Sequence, residues 1–370
     1  MTSLEASLVR DLADVRVDDD LESVDASIVV APRSVEDIAR VITVAASHGA
    51  SIVPVGSGST LKGSTADISL STHLLDGIID YQPDDLTVVV GAGTRLVDLE
   101  AELAERWHTA VLPERMPDRT VGGVVASGES GYRRLKYGPT RDRVLEVTMA
   151  TGYGEVIRGG GRLVKNVTGY DIPRLMTGSL GSLGIIGSVC LKLWPAPPHR
   201  VTVSVQNPAA ALLLIYKPVA VLESNGGSFV YLEGDEATVN QQVTMLGGTE
   251  SVGFTWPHKI PTPATASLRV PARHLADGVA LIHEIEKEWF VAQHGVGVID
   301  MGLVRVDAEP LKRLRRWAES HSGSLVVTGS DLTSFERWGT PPSTLPLQRA
   351  MKRLFDPSGV CHPGALPGGL

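Results

Sequence analysis

Three glycine-rich stretches govern what this chain can fold into. They read V-P-V-G-S-G-S-T-L-K at 53–62, T-V-G-G-V-V-A-S-G-E-S-G at 120–131, and G-G-G-R-L-V-K-N-V-T-G-Y-D running on through R-L-M-T-G-S-L-G-S-L-G-I-I at 159–186. In the first, a β-branched run at 51–53 breaks into glycines and small hydroxyls. Glycine removes the Cβ that blocks close approach and permits positive φ, so such a loop can crowd backbone N–H groups around a diphosphate. Ser57, Ser59 and Thr60 add hydroxyl donors. A single loop of this kind usually just connects two elements. Three of them beside apolar strands are unfavourable unless something fills the space between them, and a long, flat, diphosphate-bearing cofactor would do so.

The rest of the composition narrows the class. With 370 residues, 43% of them hydrophobic and 21% charged, the chain is globular and long enough for two domains. A net charge of −8 argues against nucleic acid as the main partner. The two cysteines, Cys190 and Cys361, make neither a disulfide framework nor a metal quartet and suit a reducing compartment. No signal-peptide pattern opens the chain, and no apolar run approaches the roughly 18 residues of a membrane span. The expectation is a cytoplasmic protein, or one held peripherally at the inner face of the membrane through a partner. The sequon at Asn166 then carries no glycan.

Along the chain, 11–25 is dense in aspartate and reads as a solvated acidic leader. Ser34 starts a helix whose stripe is Val35, Ile38, Val41, Ile42 and Ala45 and which stops at Gly49. Strands follow at 51–55, 78–81 and 86–90, a helix at 94–107 and a strand at 185–194. The run Pro195, Ala196, Pro197, Pro198 is a stiff boundary that cannot continue a sheet. Beyond it, strands at 201–205, 228–232, 267–270, 295–303 and 324–328 alternate with helices at 209–216, 236–246, 274–289 and 310–320. That texture predicts a separate layered α+β domain. A last helix is expected at 345–355, before a Pro/Gly tail. There is no internal repeat.

Several familiar sites are excluded. Gly91-Ala92-Gly93 follows a strand and opens a helix, but Leu96 stands where a dinucleotide fingerprint needs its third glycine, and Leu61 does the same in the first loop. There is no P-loop, no H-E-x-x-H and no C-x-x-C, and the ten histidines show no metal-ligand spacing. His294, beside Gly295 and Gly297, reads as a strand-edge histidine with a structural role. Lys312, Arg313, Arg315 and Arg316 read as the wet face of a helix or a docking patch.

Taken in order, P-V-G-S-G-S, V-G-A-G-T-R-L, T-V-G-G, G-P-T-R-D-R-V-L-E-V, T-G-Y-G-E-V-I-R-G-G and G-S-L-G-S-L-G-I-I resemble the FAD-binding domain of the vanillyl-alcohol oxidase / p-cresol methylhydroxylase superfamily over about residues 25–198. G-E-S-G, K-N-V-T-G-Y-D and the tail F-D-P-S-G-V-C-H-P-G are most similar to the E-subunit family of bacterial glycolate oxidase. The resemblance implies an α+β fold: a two-subdomain PCMH-type FAD-binding domain at 1–198, a smaller α+β cap at 199–340, and a segment at 341–370 returning to the FAD domain. It implies FAD at Pro54, Gly56, Ser57, Gly58, Ser59, Thr60, Gly122, Gly123, Ser127, Ser179, Gly184 and Ile186.

The departures from the family pattern shape the remaining expectations. Thr60, Leu61 and Lys62 stand where covalent members carry a histidine, so the FAD is expected to be non-covalent. Leu180 replaces an acidic residue, and His362 and Ala365 replace the tail's asparagine and arginine. No metal-binding histidines of the hydroxy-acid-oxidising relatives are evident. The resemblance therefore implies a subunit acting with a paralogous flavoprotein and an iron–sulfur subunit on a small 2-hydroxy acid. The alternatives are a stand-alone FAD dehydrogenase of a hydroxy acid or sugar alcohol, and a structural subunit with a non-catalytic flavin site. Lys165, Asn166 and Tyr170, with His362 from the tail, are the candidates for the ring-side mouth. Lys165 there is a point charge for a carboxylate and Tyr170 a donor, or else the one is solvated and the other a packing anchor.

Overall fold

The computed structural model describes residues 24–60, 64–114, 118–162, 169–329 and 335–370, together with positions 4, 7, 8, 16 and 17. The chain divides into two units, one of 1–131, 139–195 and 341–370, the other of Tyr132–Gly138 and 196–340. Much of the expected acidic leader lies outside the described residues. The part that is described contains β1 (Arg16–Val17) and the start of β2 (Val24–Ala31), which pair antiparallel.

In the first unit, local signals set α1 (Val35–His48). Ser34 Oγ accepts from Asp37 N at 3.1 Å, and Gly49 ends the helix at φ 63°. Ile38, Val41, Ile42 and Ala45 bury against Ile52 of β3 (Ile52–Val55) and against Ile68 and Leu70 of β4 (Ser64–Ser71). Strand β4 lies between β2 and β3 and runs parallel to both. Edge strand β3 therefore delivers the chain directly into residues 56–60.

A second sheet of the same unit has the order β5-β6-β10-β8-β9, antiparallel throughout. Its strands are β5 (Ile78–Gln82), β6 (Thr87–Gly91), β8 (Val144–Thr151), β9 (Val156–Gly160) and β10 (Gly184–Lys192). A two-stranded ribbon pairs β7 (His108–Thr109) with β11 (Trp194–Pro195). Leu96, Leu99 and Leu103 of α2 (Leu96–Glu105) share a buried cluster with Val121, Val124 and Val125 of α3 (Val121–Ser127) and with Val88, Val147, Val189 and Leu191 of the sheet. The helix expected to reach 107 stops earlier, where Trp107 turns to φ 58°. Strand β10 is central and hides Cys190 as well as Val189, so its apolar and polar positions do not split between inside and outside. A short α4 (Ile172–Met176) precedes it.

The second unit is built on one antiparallel sheet of order β15-β12-β14-β13-β17-β18-β16-β19. The strands are β12 (His199–Val205), β13 (Ala220–Ser224), β14 (Gly227–Gly234), β15 (Glu250–Val252), β16 (Ala264–Arg269), β17 (Lys287–Gln293), β18 (Val298–Leu303) and β19 (Ser324–Gly329). Its helices are α5 (Pro208–Leu214), α6 (Glu236–Leu246), α7 (Leu275–Ile282) and α8 (Ala308–Ser320). The helix expected over 274–289 is corrected. It ends at Ile282, and Trp289, Phe290, Val291 and Ala292 form a buried strand, because a continuous β-branched and aromatic run suits a sheet core. Lys287 Nζ donates to Ile282 O at 2.8 Å across that turn. Strands β13 and β15 carry too little pattern to be seen in the sequence. Tyr132–Gly138, which the sequence leaves within the first domain, groups here. Tyr137 donates to the buried Glu233 carboxylate, and Tyr132 packs on Trp256 with ring centroids 5.4 Å apart.

The chain then returns to the first unit as α9 (Leu345–Phe355). After it, Ile52 N donates to Val360 O at 2.8 Å and His362 N donates to Ile52 O at 2.7 Å, so the tail lies along β3. Among the described residues, no helix is long and apolar enough to cross a membrane.

Candidate functional site

The three glycine-rich stretches converge in the first unit because they pack on one another. A Cβ at Gly56 would fall inside van der Waals contact of Thr120 Oγ1, and one at Gly181 inside contact of Pro54 Cγ. A Cβ at Gly128 would lie 3.2 Å from Gly178 Cα. Backbone bonds complete the contact: Gly178 N donates to Val125 O at 2.9 Å and Leu180 N to Ala126 O at 2.8 Å. Several of these glycines thus make room for neighbouring chain rather than for a ligand.

A cleft of about 650 Å³ remains where the stretches meet. Its walls carry Pro54, Gly56, Ser57, Gly58, Ser59, Thr60, Gly122, Gly123, Ser127, Gly184 and Ile186, all singled out from the sequence, and also Thr72, Ala92, Arg119, Thr120 and Leu180. Among the described residues, no backbone N–H of 56–60 donates to a protein carbonyl. A run of uncommitted donors beside three hydroxyls and a guanidinium is the donor set for an extended anion such as a diphosphate. At the strand leading in, Asp67 accepts from Ser51 N and Ser51 Oγ, each at 2.7 Å, and these bonds hold its carboxyl below the usual aspartate range.

Arg119 carries no signal in the sequence, since a lone arginine in a loop has none. The fold places its guanidinium against the first glycine loop. Nε donates to Ser59 Oγ at 2.8 Å and Nη2 to Thr60 Oγ1 at 2.6 Å, while Nη1 pairs with the Glu129 carboxylate. Glu129 sits in G-E-S-G, and Thr140 of G-P-T-R-D-R anchors that turn, with Oγ1 on Glu129 O at 2.5 Å and N on Ser130 Oγ at 3.0 Å.

The remaining expected positions are not gathered in the cleft. Ser179 is buried outside its walls, and its Oγ finds no partner among the described residues. Lys165 and Asn166 lie outside the described residues, as do Leu61 and Lys62. Tyr170 is 90% exposed. His362 is buried with Nδ1 2.6 Å from Leu180 O, a positioning contact behind the cleft wall. In the second unit, His294 is buried in the turn after β17, with Nε2 2.9 Å from Glu223 Oε2. Among the described residues, no group of three or more His, Cys, Asp or Glu could hold a metal.

With this geometry in hand, comparison with known proteins is informative. The family model of the FAD binding domain matches residues 26–160. Glycolate oxidase subunit GlcD of Bacillus subtilis (strain 168) is 36% identical over 180 residues, 47% of this chain and 38% of that protein, so this chain spans well under half of it. Glycolate oxidase subunit GlcE of Escherichia coli (strain K12) is 30% identical over 328 residues, 84% of this chain and 89% of that protein. The solved xylooligosaccharide oxidase from Myceliophthora thermophila C1 in complex with xylobiose superposes with a TM-score of 0.71 at 14% identity, covering 97% of this chain and 98% of that one, a likeness of fold.

Proposed function

The chain belongs to the family of FAD-binding oxidoreductases that contains glycolate oxidase subunit GlcE, and from that premise we propose that it is the E-type flavoprotein subunit of an enzyme oxidising glycolate or a related small D-2-hydroxy acid. The observation that carries this reading is the extent of the likeness. The match to GlcE covers 84% of this chain, too much to be confined to either unit, whereas the match to GlcD covers 47%.

In this reading the N–H groups of 56–60 and the hydroxyls of Ser57, Ser59 and Thr60 hold the FAD diphosphate. Pro54, Gly122, Gly123, Ser127, Gly184 and Ile186 border the remainder of the cofactor. Bound FAD supplies the two-electron acceptor, and the chain supplies its position. The FAD is held non-covalently, because among the described residues no His, Cys or Tyr stands in the cleft walls to form a bond to it. Two cysteines are too few for an iron–sulfur cluster of the chain's own, so an iron–sulfur subunit and a paralogous flavoprotein complete the path of electrons. The second unit carries the determinants of substrate or partner.

The test uses the purified chain, first alone and then mixed with the two partner subunits. Visible flavin absorption that trichloroacetic acid releases into solution supports non-covalent FAD. No absorption and no uptake of added FAD overturns the cofactor assignment. Dye reduction with glycolate or D-lactate only in the mixture supports the subunit reading, and reduction by the isolated chain replaces it with a free-standing dehydrogenase.

A further inference from the structure

We propose that Arg119, aimed by Glu129, is a positioning residue for the cofactor's diphosphate: it holds the Ser59 and Thr60 hydroxyls with their protons turned toward the anion. The inference rests on the reading of the cleft as an FAD site.

A guanidinium has five donors and no acceptor. In its bonds to Ser59 Oγ and Thr60 Oγ1, of 2.8 and 2.6 Å, the two hydroxyl oxygens must therefore both accept. Each hydroxyl has one proton, and that proton is left for some other acceptor. Ser57 Oγ, 3.2 Å from Ser59 Oγ, can donate to the second lone pair of that oxygen, which leaves the Ser59 proton for the cleft that all three hydroxyl residues line. A hydroxyl in place of Arg119, which can accept as well as donate, would not force that polarity on two groups at once.

The guanidinium also stiffens a loop that has little else to hold it. Residues 56–60 contain two glycines, and among the described residues their N–H groups make no bond to a protein carbonyl. Arg119 ties this loop to a segment about 60 positions along the chain. Its own orientation is set by the ion pair with Glu129, whose turn is pinned by Thr140. Arg119 is 7% exposed as a residue, so its charge acts where water screens it weakly. The loop and its donors are thus arranged before the anion arrives, which is how affinity is gained without new contacts.

The experiment strips flavin from wild-type protein and from Arg119→Met and Arg119→Lys, then titrates each with FAD, ADP and riboflavin. ADP carries the diphosphate without the ring system, and riboflavin the ring system without the diphosphate. Loss of charge-assisted bonds on this scale should weaken FAD and ADP about tenfold or more in Arg119→Met, less in Arg119→Lys, with riboflavin unchanged. If Arg119→Met does not fold, the double variant Ser59→Ala/Thr60→Ala removes the same hydroxyls from the other side and must weaken ADP by a similar factor. Unchanged FAD and ADP binding, or riboflavin weakened equally, overturns the inference while leaving the FAD site standing. A wild-type chain that binds neither FAD nor ADP overturns both.

Discussion

Lys352→Met should loosen the tail that backs the cleft. The Lys352 ammonium uses all three of its protons, donating to Ser182 O at 2.7 Å, Cys361 O at 2.6 Å and Asp356 Oδ2 at 2.6 Å. Its side chain is 12% exposed and that of Asp356 is fully buried. Asp356 also accepts from Val360 N at 3.2 Å and Cys361 N at 2.9 Å, so this one carboxylate organises the turn that sets the tail beside Ile52. Methionine fills much of the same volume but leaves a buried carboxylate without its counter-charge. Breaking a buried pair in this way costs about 3–5 kcal/mol, and the small exposure of Lys352 argues for the lower end, about 3 kcal/mol. At 1.4 kcal/mol per factor of ten, the amides of Ile52 and His362, which bond only to or across the tail, should exchange with solvent about a hundredfold faster. Native-state hydrogen exchange measures this directly, with urea unfolding as the global check. Lys352→Met/Asp356→Asn should recover a good part of the loss, because the uncompensated charge is gone. A single-variant loss below about 1 kcal/mol, or unchanged exchange at those two amides, refutes the reasoning.

Three further outcomes are expected. Gly56→Ala pushes aside the Thr120 hydroxyl that caps α3 by accepting from Gly123 N at 3.2 Å, so its loss should couple to Thr120→Ala by about 1 kcal/mol in a double-mutant cycle followed by urea unfolding; strict additivity rejects the contact. Burial pushes the Cys190 and Cys361 thiols up to about 12, so neither should react with an aromatic disulfide reagent in the native protein at mildly alkaline pH, and both should react in denaturant. The Asp67 carboxyl is lowered on folding by its bonds to Ser51, so its stabilisation is present above the ordinary aspartate range and is lost as pH falls through the folded value. Asp67→Asn should therefore destabilise by no more than about 1 kcal/mol at neutral pH and by progressively less in acid, and a loss that is constant with pH contradicts this.

What the sequence reveals and conceals follows from the range of the interactions. Helix α1 is legible because Ser34 and Gly49 act within a turn of its ends. The cleft residues from Gly56 to Ile186 are legible because a glycine pattern is written locally. Only the start of strand β17 is misread as helix, because the expected helix is carried on through the charged stretch 283–288 to Trp289, and the strand's place inside an eight-stranded sheet decides the matter. Arg119 is invisible for a sharper reason: its partners Ser59 and Thr60 lie about 60 positions away, and no local pattern marks an arginine that reaches so far.

The same distinction governs how the cleft should be tested. Gly56, Gly122 and Gly181 meet Thr120, Ala92 and Pro54 respectively, so substituting any of them disturbs the packing of the stretches themselves. Loss of flavin in such a variant would not locate a ligand contact. The hydroxyls of Ser59 and Thr60 are different, because removing either oxygen brings no new atom against the neighbouring chain. Both accept from one guanidinium, and they stand in the cleft wall. Substitutions there separate a residue that binds the anion from a glycine that only lets the chain close around it.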